Sequence, residues 1–184
     1  MKKLALGLLS FFLLVGVFVS PLSAFAQDEP QVEGTKVEQV SSFDLFWPIV
    51  AGKTSGDSLY FAKTLKESVR EMLIFSKYRK TDYNITLTEK RAVELEKLLQ
   101  NKDFANAEKT LEMSKSKRLN VLSLLKQLAD EGTNTTDLKT TFMNSLKDQE
   151  MLFKYLLTTA SDDKAKEIIN SFLSSLQSDL SSLK

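Results

Sequence analysis

Chain-breaking residues are confined to one end of this sequence, and that confinement restricts the fold more than any motif does. All three prolines and five of the six glycines precede Asp57, whereas the 184 − 56 = 128 residues from Asp57 to Lys184 contain only Gly132. Hairpins of strands need turn residues at short intervals, so so long a stretch with one breaker is built from helices joined by short polar turns. The sequence predicts an all-α protein: an antiparallel helical bundle of four to five helices, built on a long helical hairpin and preceded by an extended N-terminal arm.

Residues 1–26 read as a signal peptide. Lys2 and Lys3 supply a basic start, Leu4 to Val19 an apolar run, and Ala24-Phe25-Ala26 the small residues that a signal peptidase recognises. The run has 16 residues, short of the roughly 20 that span a bilayer, and Pro21 follows it closely. Cleavage between Ala26 and Gln27 is therefore expected in preference to a retained anchor. The exported chain is expected to be secreted or periplasmic in a bacterium, touching the membrane only transiently through its signal peptide.

Removing residues 1–26 leaves 184 − 26 = 158 residues with 25 − 2 = 23 basic and 24 acidic side chains, a net charge of −1. A near-neutral mixed surface offers no basic stripe for nucleic acid. Zero Cys excludes disulfides, thiolate metal sites and cysteine nucleophiles; zero His removes the usual zinc, haem and Ser-His arrangements. No cofactor and no enzymatic activity are expected.

Beyond the signal peptide, residues 27–55 form an arm that begins polar and ends apolar, and residues 56–184 a single helical domain. Phe43, Leu45, Phe46, Trp47, Ile49 and Val50 cluster around Pro48, and this much apolar surface is expected to dock on the bundle with Trp47 buried. A first helix is expected from Ser58 to Ser76, capped by Asp57, with Leu59, Ala62, Leu65, Val69, Met72 and Leu73 facing inward. A second, from Asp82 to Gln100, turns Ile85, Thr88, Ala92, Leu95, Leu98 and Leu99 inward. Asn101-Lys102-Asp103 then folds the chain back into a third, Phe104 to Glu131, stopped by Gly132 and thin in apolar residues around Lys115 to Arg118. Thr135 or Thr136 opens a fourth helix, ending near Thr159 with Met151 among its inward positions, and Ser161 caps a fifth.

Two stretches carry a resemblance. Gly56-Asp57-Ser58-Leu59-Tyr60-Phe61-Ala62-Lys63-Thr64-Leu65-Lys66-Glu67 is similar to a G-D-x-L-Y-x-x-K-x-x-x-E opening. Glu89-Lys90-Arg91 and Leu98 to Lys109 are similar to an A-E-x-R start and an L-x-x-x-G-x-[YF]-x-x-A-E turn. Together they resemble a family of uncharacterised secreted or membrane-anchored bacterial helical domains, over roughly Phe43 to Leu128. The family-like helices are expected at 56–131, with an additional C-terminal helix pair at 132–184. Thr88 stands where that family prefers alanine and Lys102 where it prefers glycine, so a somewhat different hairpin turn is expected. The resemblance implies an extracytoplasmic helical domain and no mechanism.

The chemical constellations read as structural. Lys63, Lys66 and Glu67 are spaced for surface support along a helix. Glu94, Glu96 and Asp103, or Asp162, Asp163 and Glu167, lack the loop spacing of a calcium site. Ser114-Lys115 and Ser116-Lys117 point apart on a helix. Tyr60, Tyr78, Arg79, Lys80 and Tyr83 place aromatics among cations near the first inter-helix turn, and with Trp47 they are the candidate ligand or partner surface. The function expected is that of a secreted scaffold or protein-interaction module of the cell envelope, with an envelope protein or itself as partner. The alternative is an extracytoplasmic chaperone or envelope-stress sensor for unfolded or apolar clients, which exposed apolar area in the arm or first hairpin would favour.

Overall fold

The computed structural model describes residues 40–183, so the signal peptide, its cleavage point and the polar start of the arm lie outside the described residues. The chain is all-α, with helices α1 Ser42–Phe46, α2 Tyr60–Leu73, α3 Lys77–Gln100, α4 Phe104–Asp130, α5 Thr136–Thr159 and α6 Asp163–Ser182. Among the described residues no helix is long and apolar enough to cross a membrane.

Short connections make α3–α4 and α5–α6 antiparallel hairpins. α3 ends with Lys102 at φ 57°, its N–H donating to the Leu99 carbonyl while the Asp103 N–H donates to that of Leu98. This is the left-handed stop that also ends α4, where Gly132 has φ 75° and the Gly132 and Thr133 N–H groups reach Ala129 and Leu128. Lys102 thus stands in the left-handed position that Gly132 occupies at the end of α4. A lysine holds the backbone that glycine would, at a steric cost of about 1 kcal/mol. Asp103 caps α4 by accepting from the Asn106 N–H, and Asp162, one residue past the expected Ser161, caps α6 through the Lys164 N–H at 2.9 Å.

The four long helices α3 to α6 enclose the core. Leu95 and Leu98, Val121 and Leu125, Phe142, Leu146 and Leu152, and Ile168, Phe172 and Leu176 are all buried. On α5, Met151 is exposed, contrary to expectation, and Phe153 is buried, its ring meeting that of Phe172 with centroids 4.1 Å apart. The thin part of the α4 stripe is a buried arginine. Arg118 lies wholly inside, its Nε 2.5 Å from Asp179 Oδ2 and its Nη groups donating to Ser114 and Ser175 hydroxyls.

The described part of the arm is not wholly extended: Ser41 caps α1, which turns Phe46 into the core. Trp47 does not dock, contrary to expectation. It is 67% exposed and lies edge-on to the ring of Phe43, which is also exposed. Replacing Phe46 with alanine is expected to cost about 3 kcal/mol in chemical unfolding. Replacing Trp47 with alanine is expected to cost no more than about 0.5 kcal/mol, and Trp47 fluorescence should match that of tryptophan in water.

The largest departure is α2. Its expected inward stripe faces solvent: Leu59, Ala62, Leu65, Val69, Met72 and Leu73 are exposed, and the buried residue of the helix is Glu67. The helix is also shorter than expected, starting at Tyr60 without a side-chain cap and ending before Ile74. Asp57, the expected cap, instead accepts from the N–H and hydroxyl of Thr54.

Candidate functional site

α2 lies along the α3–α4 hairpin by its polar side. Tyr60, Lys63, Glu67 and Glu71 fall three to four residues apart, so they share one helical face, and each meets a polar partner. The Lys63 ammonium pairs with Glu94 and donates to the carbonyls of Ala51, at 2.7 Å, and Lys53. Glu67 accepts from Lys90 and Arg91. Glu71 accepts from Asn84 Nδ2 at 2.9 Å and from Lys117 Nζ at 2.6 Å, and the Tyr60 hydroxyl donates to Glu94 at 3.2 Å. Contacts step down α3 as they step up α2, so the two helices are antiparallel.

Arg91 is the centre of this seam. It is 4% exposed, grips both Glu94 oxygens at 2.6 Å through Nη1 and reaches Glu67 through Nη2. Burial pushes the Glu67 carboxyl up, but Lys90 and Arg91 outweigh it and hold the group below the ordinary glutamate range. For Glu71 burial is likewise outweighed, by Lys117 and Asn84. Burial lowers Lys63 and raises Tyr60, the latter with help from Glu94.

The sign of the pH response follows. Glu67 and Glu71 are depressed in the folded state, so their contribution is full above the ordinary value of 4.5 and is lost as pH falls through their folded values. Burial raises Glu89, Glu96 and Asp148, so protonating them on acidification adds stability elsewhere, on α3 and α5. Acid is thus expected to release α2 before it melts the bundle. At about pH 3 pepsin should cut within α2 and leave α3 to α6 intact.

The loop ahead of α2 is fitted to the far end of the hairpin. Gly56 has φ 99°, a conformation that requires glycine, and a Cβ there would sit 2.5 Å from Asn106 Nδ2 and push that amide aside. The Ser55 hydroxyl donates to Asn106 Oδ1, and Asn106 Nδ2 donates to Asp103 Oδ2. The opposite side of α2 carries Phe61, Leu65, Val69, Met72 and Leu73, and Phe75 follows at 91% exposure.

A family model for a domain of unknown function, DUF5667, matches residues 52–151, more than half of the chain. The chain belongs to this family. No curated protein and no solved structure matches it. The DUF5667 match starts before Gly56 and passes the Gly132 turn into α5, so it extends beyond the expected 56–131 and takes in part of the C-terminal helix pair. It spans the Gly56 loop and every side chain of the seam, in which Tyr60, Lys63, Glu67, Lys90 and Arg91 from the two similar stretches take part.

The candidate partner residues are divided by the structure. Arg79 and Tyr83 share an open cleft with Arg70, whose guanidinium lies 4.9 Å from the Tyr83 ring centroid. Tyr60 belongs to the seam and Trp47 to the arm. Tyr78 and Lys80 stand with Arg79 and Tyr83 on α3, because Ser76 caps that helix ahead of Lys77 and the expected turn is already helical. Lys63 and Glu67 pair across helices and not with each other. Of the carboxylates weighed for calcium, Glu94 is in the seam, Asp103 and Asp162 are caps, and Asp163 and Glu167 pair with lysines. Ser114 accepts from Arg118, and Lys117 pairs with Glu71. The seam and the outward stripe were missed from sequence; the available signal was Arg91 and Glu94, two charges set among Thr88, Ala92 and Leu95 on a buried face.

Proposed function

We propose that this DUF5667 protein is a non-catalytic interaction module working outside the cytoplasm at the bacterial cell envelope, and that it docks through the outward stripe of α2. The supporting observation is the orientation of that helix: its polar side is satisfied by the hairpin, and five large apolar side chains are left on one outer face. Contiguous exposed apolar surface of this kind marks interaction sites. The non-catalytic reading is supported by the pairing of the seam's ionisable groups with one another and by a sequence without His or Cys. Export is supported by the pattern of residues 1–26.

The test is a Leu65→Gln/Met72→Gln variant expressed in the native host. The melting temperature should be unchanged and the share of protein recovered with the envelope should fall severalfold. An unchanged envelope share would contradict the proposal. A second reading, the extracytoplasmic chaperone or envelope-stress sensor, draws on exposed apolar area in the arm as well, at Phe43 and Trp47. Suppression of client aggregation that Trp47→Ala weakens would favour it.

A further inference from the structure

We propose that the surface meeting α2 is an anionic lipid bilayer, on which the helix lies flat with the bundle above it; this rests on reading the α2 stripe as the docking face. A membrane-surface helix buries one apolar side among lipid headgroups and keeps a polar side away from them. α2 arrives preformed for this. Its 14 residues give a stripe of roughly 21 Å at 1.5 Å per residue, and the hairpin already holds the polar side.

Charge selects the partner. Both acids of α2, Glu67 and Glu71, are turned into the seam and paired. Lys66 and Arg70 lie beside the stripe and make no ion pair among the described residues. At the end of the stripe Arg70 and Arg79 line an open cleft of about 690 Å³ with Tyr83, and Leu73 and Phe75 lie beside them. Asp82 is the one acid lining this cleft. Two arginines next to a protruding phenylalanine suit a phosphate-bearing headgroup whose acyl chain passes along Phe75.

The same charges disfavour a second copy of the chain. An isologous contact between two α2 stripes would set Lys66 and Arg70 against the same cations of the other molecule with no exposed α2 acid to offset them. A lipid surface of negative charge instead attracts each of them. The contact proposed here is thus a property of the folded domain, unlike the transient contact expected of the signal peptide.

The test uses the exported protein as the cell delivers it, sedimented with vesicles of phosphatidylglycerol and phosphatidylcholine or of phosphatidylcholine alone. Binding should be at least tenfold tighter to the anionic vesicles, should fall tenfold or more in Lys66→Glu/Arg70→Glu, and should be lost in Leu65→Gln/Met72→Gln, with melting temperatures unchanged. Equal binding to both vesicles, or binding that the α2 variants leave unaltered, overturns the proposal. So does an α2-dependent dimer in sedimentation equilibrium without vesicles, which would name a second copy as partner. If vesicles are not bound and the Leu65→Gln/Met72→Gln variant still leaves the envelope fraction, the lipid proposal fails while the docking face stands with a protein partner. If neither changes, both fail.

Discussion

Arg91→Ala is expected to destabilise the protein by about 3–5 kcal/mol, the range for removing one partner of a buried ion pair. The cost arises because Glu94 is fully buried and Glu67 is 7% exposed, and both lose a charged donor in the same step. Lys63 and Lys90 remain as partners, so the seam should loosen without the four-helix core unfolding. Two transitions in chemical unfolding, the first carrying the exchange-labile amides of α2, would show this. Arg91→Lys should recover only part of the loss, since an ammonium cannot bridge two carboxylates as the forked guanidinium does. A single unshifted transition in Arg91→Ala would contradict the account.

Arg118→Ala is expected to cost a comparable 3–5 kcal/mol, this time against the core itself. Its side chain is fully buried between α4 and α6, with Asp179 as counter-ion and its guanidinium carbon 5.0 Å from the Phe172 ring centroid. Truncation leaves Asp179 unpaired and opens a cavity beside Phe172. Arg118→Met/Asp179→Leu removes both charges and keeps most of the volume, so it should recover much of the stability. Equal losses in the single and double variants would show that packing around Phe172, and not the charge, sets the cost.

The elements from Asp82 onward were legible in the sequence because several signals coincide there. Asp103 and Gly132 mark helix ends, and Leu95, Leu98, Leu125 and Phe172 recur at helical spacing on faces that have other helices to meet. α2 was misread for a physical reason. Periodicity reports that a helix is two-sided, and Tyr60, Lys63, Glu67 and Glu71 are as periodic as Phe61, Leu65, Val69 and Met72. Which side turns inward depends on the surface it meets, and on α3 that surface is polar because Asn84, Arg91 and Glu94 are there. The candidate aromatic and cationic cluster was half-legible: Arg79 and Tyr83 do share a cleft, but their partner Arg70 comes from the preceding helix.

α2 is fastened by its charged side and shows its apolar side to the outside. The chain has no cysteine, so single-cysteine variants can be read without background. Rates of thiol labelling would be compared in the native protein at Ala62→Cys, Leu65→Cys and Met72→Cys on one side and Glu67→Cys on the other, each normalised to its rate in denaturant. The first three should label at least tenfold faster than Glu67→Cys. Slow labelling at Leu65 and Met72 with fast labelling at Glu67 would mean that the apolar stripe faces the core after all, and the seam and the docking face would both be wrong.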